Sequence, residues 1–510
     1  MEYVFGLAAL FAWLVWLNLK WIRKGKARHR SRDSPDFLDR TVFDNSGVNF
    51  TARDACQGIL CLGQVGSGKT TGVMATLIDS LLGMGCGCLY VCAKPDDRER
   101  MLRACKKAGR MKDVILVDKH AKERLSFFST LLRVDTDYAT LAQIGAAGFD
   151  VFAQVSGNNQ QGWGNDGRFW GEAQTRLIRS TLLLLLLAKI DVTPGNILKV
   201  VQTLPKTDDH AATDEWKQSF CGRCMHEAFL NARAENLEAE FDAVSDYFIV
   251  EIASLGLKTR SNIVAMVTGT ADSLTKGLAS RVFGTDSTFD LAEAIAEDRI
   301  VIVDLPYGEW GEVGRFCGAG FKYLAQREIL KRRVTKGTKV WPIISDEYQN
   351  IMTEGDWGFA SMSRSFRGPL WIASQGIESM YAALGGEQHK AKVETLVGNL
   401  GANFVCLPTY DTAKWVTEKL GKRKQRFRNA SGGTSGGPVT PGDFFFGSDK
   451  TQVSANAGFS ESFELMIQPN QLARLATGGP RFGWVVTALF IQPGRGEPYY
   501  WLNFSQGELG

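Results

Sequence analysis

The sequence predicts an α/β fold in which a parallel-sheet domain is interrupted by an all-α insertion and preceded by one transmembrane helix. Three observations carry this. An uncharged apolar stretch runs from Tyr3 to Leu19. A short apolar run, Gly58–Gly63, feeds the glycine-rich segment Gly63-Gln-Val-Gly-Ser-Gly-Lys-Thr70 and then a helical pattern. Far downstream, beyond a long helical stretch, further apolar runs end in acids at Asp304 and Asp346.

The 510 residues correspond to about three domain-sized units. Hydrophobic residues at 44% and charged residues at 22% exclude a disordered, collagen-like or polytopic membrane chain. Ten Cys are too few for a disulfide scaffold.

The first element is the anchor, residues 1–22. Extended through Trp21 and Ile22, the apolar stretch is long enough to cross a hydrocarbon layer of about 30 Å as a helix. A buried core helix is the plain alternative, but a polybasic flank has no place beside one. Seven basic residues lie between Lys20 and Arg32, and Glu2 is the only acid before Asp33. Residues 1–32 thus carry +6, leaving −2 of the net +4 for residues 33–510. Basic residues on the C-terminal flank predict a single-pass protein with its N-terminus outside and its bulk in the cytoplasm. A cleaved leader would carry its charge in front of the apolar region. The faintly acidic body has no global field for coating nucleic acid.

Residues 23–135 form the first part of a nucleotide-binding domain. Gly63, Gln64, Val65, Gly66, Ser67, Gly68, Lys69, Thr70 and Thr71 make a complete P-loop in strand–loop–helix context. Glycines let backbone N–H groups close around phosphates, Lys69 reaches the β- and γ-phosphates, and the Thr70 hydroxyl is a Mg²⁺ ligand. The expected cofactors are ATP and Mg²⁺.

Residues 136–288 read as an all-helical insertion, and 289–510 as the second part of the nucleotide-binding domain. Asn231 to Gly256 has helical spacing with few breakers, and Leu182–Leu187 is too short to span a membrane. A P-loop enzyme needs an acid at the end of a neighbouring strand. Arg299–Pro306, with its acid at Asp304, is the cleaner strand, whereas Pro342 weakens Val340–Glu347. Only the latter offers two adjacent carboxylates, with Asp346 for the Mg²⁺ shell and Glu347 to polarise water, so it is preferred. A third strand from Pro369 ends in Gln375, where a γ-phosphate sensor would sit, and Arg364 and Arg367 precede it.

Lys331–Lys339 and Lys422–Arg428 are local basic patches, either of which would suit DNA phosphates or acidic lipid, although charge runs are usually solvated faces. Asn429–Gly442 is a low-complexity loop in composition. Cys221-Gly-Arg-Cys224 with His226 lacks the second ligand pair of a zinc site and reads as ordinary thiols.

The order of these motifs resembles the coupling protein family of type IV secretion and conjugation, membrane ATPases related to the FtsK and HerA pumps. Gly167-Arg-Phe-Trp-Gly-Glu-Ala173, Leu396–Phe404 with Asp411-Thr-Ala413 and Leu420-Gly421, and Ser462–Leu472 also resemble family segments. The likeness covers nearly the whole chain. It implies a RecA-like nucleotide-binding fold, an arginine finger at Arg364, a hexameric ring at the bacterial inner membrane, and partners comprising the secretion machinery, a relaxase–DNA or protein substrate, and DNA without sequence preference. Departures are a single membrane helix where the family usually has two, and Cys92-Ala-Lys94-Pro-Asp96-Asp97 in place of Asp-x-Lys-x-Glu. Two alternatives stand beside a secretion ATPase: a DNA-packaging or segregation pump of the FtsK/HerA type, and a non-catalytic cargo receptor. A receptor has no need of Lys69, Thr70, Asp346, Glu347, Arg364 and Gln375 together.

Overall fold

Short apolar runs that bury both faces must pair within a sheet covered on both sides. Such runs form the centre of a nine-stranded sheet in the computed structural model, which describes residues 36–156, 167–284, 286–385, 389–435 and 452–506. The expected anchor at residues 1–22 and most of the polar loop Gly157–Gly167 lie outside the described residues. No helix among the described residues is long and apolar enough to cross a membrane.

A small antiparallel pair, β1 (Thr41–Asn45) and β2 (Val48–Thr51), precedes the main sheet. The sheet then takes β3 (Ile59–Leu62), β4 (Cys88–Val91), β5 (Val114–Val117), β6 (Ile300–Val303), β7 (Ile343–Ser345), β8 (Leu370–Ser374) and β9 (Ala402–Val405), all parallel. Their spatial order is β9-β3-β8-β7-β4-β6-β5. Pro342 lies just before β7, at the strand start where proline does not remove a ladder bond. A separate two-stranded hairpin follows, β10 (Lys422–Ser435) against β11 (Gln452–Leu465). Then β12 (Val485–Ile491) pairs antiparallel with β9, and β13 (Tyr500–Ser505) with β12, closing that side of the sheet.

Side-chain alternation divides the interior. Ile59 and Cys61 of β3 join a core with the helix Ala75–Gly83 and the β1–β2 pair. Leu60 and Leu62 face the other way, into a core that runs on into the helices placed between β5 and β6. Those include Tyr138–Val155, Gly167–Leu187, Phe220–Glu235 and Leu257–Thr275. The Leu182–Leu187 run is the buried end of the second of these. Expected helical continuity from Asn231 to Gly256 is broken at Asn236, whose left-handed backbone (φ 58°) ends one helix before another starts at Glu238.

The low-complexity segment departs from expectation over 429–435, and residues 436–442 lie outside the described residues. Asn429 to Ser435 is not a loop but the outer half of β10, paired rung by rung with residues down to Gln452. Gly and Ser hide the strand because they carry no apolar alternation, while the ladder depends only on backbone groups.

Candidate nucleotide site

The P-loop joins the C-terminal end of β3 to the helix ending at Gly83, whose first turn, Lys69–Met74, is wound as π-helix. The loop is held by its neighbours: Gly63 N–H donates to Ser374 O (3.2 Å) and Gln64 N–H to Leu407 O (2.9 Å). Gly68 must be glycine, since its φ is +81° and an added Cβ would overlap Val486. Val65 is exposed at the tip. Thr71 Oγ accepts from Gln506 Nε2 at 2.6 Å, tying the loop helix to the end of β13.

Position in the sheet separates the two candidate acids. β7 lies two strands from β3 and β6 lies four strands away, so Asp304 starts about 19 Å from the P-loop strand and Asp346 about 10 Å. Thr70 Oγ donates to Asp346 Oδ2 at 2.6 Å. Lys69 Nζ lies 3.4 Å from Glu347 Oε1 and 3.9 Å from Asp346 Oδ1. Asp304 instead pairs with Arg98 at 3.1 Å.

Lys69, Asp346 and Glu347 are all buried. Burial would raise the Asp346 carboxyl, but the Lys69 and Lys94 ammonium groups, the Thr70 hydroxyl and the Glu347 N–H hold it below the usual carboxylate value. Glu347 has a left-handed backbone (φ 47°, ψ 46°), a strained state for a non-glycine residue that its surroundings must maintain. Its other carboxylate oxygen accepts from Gln349 Nε2 at 2.8 Å.

Lys94 was assigned no role by sequence reasoning. Its Nζ lies 3.4 Å from both Asp346 and Glu347. Asp97 fixes it there by accepting from the Ala93 and Lys94 N–H groups, each at 2.9 Å. The available signal was its place between an apolar strand and a helix start, directly beside the site.

Gln375 follows β8, between β3 and β7, at the same sheet edge as the P-loop. Arg364 is at the opposite edge. It ends the helix Asp356–Ser363, its carbonyl accepts from Cys56 Sγ ahead of β3, and its side chain is exposed. Arg367 is buried and bound to Asp36 at 2.9 Å and to the Lys336 carbonyl at 3.1 Å. Arg364 therefore cannot reach the nucleotide site of its own chain.

The site fits a magnesium nucleotide. Thr70 and Asp346 offer the hard oxygen pair that Mg²⁺ takes. Ser67 Oγ is buried inside the loop without a hydrogen-bond partner. Elsewhere, Arg332 and Lys339 of one basic patch are spent on backbone carbonyls, and Lys331 pairs with Glu328. In the other, Lys424 and Arg426 pair with Glu461 across the hairpin. Cys221 and Cys224 are buried in the helix Phe220–Glu235.

No protein-family profile and no curated sequence matches this chain. Solved structures do. The unbound bacterial conjugative coupling protein TrwB aligns over 94% of this chain and 90% of its own, with 13% identity and a TM-score of 0.57. The chain has the coupling-protein fold. TrwB in complex with ADP and Mg²⁺ aligns over 95% and 93% (13% identity, TM-score 0.56), and TrwB with the ATP analogue ADPNP over 95% and 94% (14% identity, TM-score 0.56). Within that fold, the strand order puts Lys69, Thr70, Asp346, Glu347 and Gln375 along one edge of the sheet and leaves Arg364 on the other.

Proposed function

We propose that this chain is a Mg²⁺-dependent ATPase of the conjugative coupling type, anchored in the bacterial inner membrane by residues 1–22, that drives a DNA–protein or protein substrate into a type IV secretion channel. The observation that carries the ATPase is the buried meeting of Lys69 and Thr70 with Asp346 and Glu347. The ligands bound in the TrwB complexes, ADP with Mg²⁺ and ADPNP, support the choice of ligand. The extent of the coupling-protein fold supports the transport role over a packaging or segregation pump. The anchor, the ring and the channel rest on sequence and resemblance.

The chemistry divides among the residues. Backbone N–H groups from Gly66 to Thr70 would cradle the phosphates, with Lys69 neutralising charge between the last two. Thr70 and Asp346 would hold Mg²⁺, which offsets charge on the phosphate oxygens. Glu347 orients and polarises the attacking water, and Gln375 contacts the terminal phosphate. Arg364 acts on the site of a neighbouring subunit.

The test is ATP turnover by the chain and two variants. Lys69→Ala should lose nucleotide binding or turnover. Glu347→Gln should bind ATP and turn it over about 10²–10⁴-fold more slowly, the range for loss of a positioned base. Normal turnover by Glu347→Gln would remove the assignment.

A further inference from the structure

Next to the nucleotide site lies a second ionic cluster that the hydrolytic scheme does not use. Lys322, on the helix Tyr307–Leu330, and Asp356, which opens the helix Asp356–Ser363, are both fully buried and meet at 2.6 Å. The Asp356 carboxylate collects donors from several chain segments. Oδ1 accepts from Lys322 Nζ (2.7 Å), Gln326 Nε2 (2.9 Å) and Thr353 Oγ (3.1 Å). Oδ2 accepts from Lys322 Nζ (2.6 Å), the Tyr348 hydroxyl (2.7 Å) and Thr353 N–H (2.9 Å). Lys322 Nζ also donates to the Ile351 carbonyl at 2.7 Å.

Burying an ion pair is expensive, and apolar residues of equal volume would fill the space without that cost. The cluster supplies fixed directions instead. At one end is Tyr348, directly after the strained Glu347, with its ring buried and the Lys322 ammonium 5.2 Å from the ring centre. At the other end is the helix Asp356–Ser363, followed directly by Arg364. One carboxylate thus joins Tyr348, the neighbour of Glu347, to the element that carries the exposed arginine.

We propose that Lys322, Asp356 and Tyr348 form a positioning unit that holds Glu347 in its working geometry and sets the Arg364 helix relative to it. The inference rests on the ATPase reading and adds to it a physical link between the two functional edges of the sheet. None of the three touches the nucleotide site directly, so each acts through Glu347 or Arg364.

Tyr348→Phe tests this in the full chain. The substitution removes one hydroxyl and little volume, and the carboxylate keeps its other donors, so the fold should survive. The expected result is a fall in kcat of about tenfold, the scale on which small misplacements act, with KM for ATP within about twofold of wild type. In the Glu347→Gln background the same change should have no further effect, because both act on one function. Gln326→Leu is the control, since it removes a different donor from the same carboxylate and leaves the Tyr348 bond. It should lower the thermal midpoint while kcat stays at the wild-type value. Wild-type kcat in Tyr348→Phe, or a Gln326→Leu variant whose kcat falls equally, would overturn the proposal and leave the cluster a structural one. Absence of turnover in the wild-type chain would instead remove the ATPase reading, and this inference with it.

Discussion

Asp346 keeps its charge in an enclosed place because two ammonium groups, a hydroxyl and an amide N–H outweigh the effect of burial. Its folded pKa lies below its unfolded value, so the stabilisation is complete above about pH 4 and is lost as pH falls through the lower folded value. Lys69→Ala should therefore destabilise the protein at neutral pH, by about 2 kcal/mol for a charge-assisted contact. The penalty should fade in acid, and chemical denaturation at pH 7 and near pH 3 checks this. A penalty independent of pH would mean that Lys69 stabilises by packing alone. Asp304→Asn should cost under about 1 kcal/mol, as expected for a pair with the partly exposed Arg98, and leave turnover unchanged. Sequence could separate Asp346 from Asp304 because only one strand ended in two adjacent acids. It did not reach Lys94, for which the place between an apolar strand and a helix start was the only signal, or the Lys322–Asp356 pair. Lys94 lies 252 positions from Asp346, and Lys322, the one lysine of its long helix, has no partner in view until the turn after Glu347 folds against it.

The hairpin of β10 and β11 is the element whose form was least legible. Its outer rungs are Asn, Ala, Ser, Gly and Thr, which signal a loop when read in order and a strand only when the opposite arm is known. The P-loop, by contrast, was legible because its strand, loop and helix are contiguous and each needs particular residues. The antiparallel β12 and β13 showed no such signature, since their place depends on β9, about eighty residues upstream by sequence. The hairpin forms a sheet of its own and shares no ladder with the main one. Replacing residues 427–460 by a short turn should therefore shift the thermal midpoint by less than about 4 °C and leave nucleotide binding intact. A large fall in the midpoint would show that the ribbon is part of the core.

At the scale of the whole molecule, an exposed Arg364 on the edge opposite the P-loop demands a second subunit if it is to act in hydrolysis. Lys69→Ala and Arg364→Ala chains should each be inactive alone, and mixed assemblies should regain part of the activity where an intact P-loop faces an intact arginine. An in-trans guanidinium is worth about 10³–10⁵ in rate, so recovery should be easy to detect. No recovery in assemblies shown to be mixed would remove the finger. Removing residues 1–32 should leave ATP turnover in place and abolish substrate transfer in cells, and robust transfer by the shortened chain would sink the anchor's role.

The position of β3 also sets a timetable. Its two neighbours, β8 and β9, begin at Leu370 and Ala402, and Gly68 packs on Val486 of β12. A ribosome has thus made most of the chain before the strand that bears the P-loop has anything to pair with. Until then its apolar residues are a burden for chaperones to cover, and pairing across so long a span is slow. A chain released at residue 400 should accordingly bind no nucleotide, although every residue from Gly63 to Gln375 is present in it.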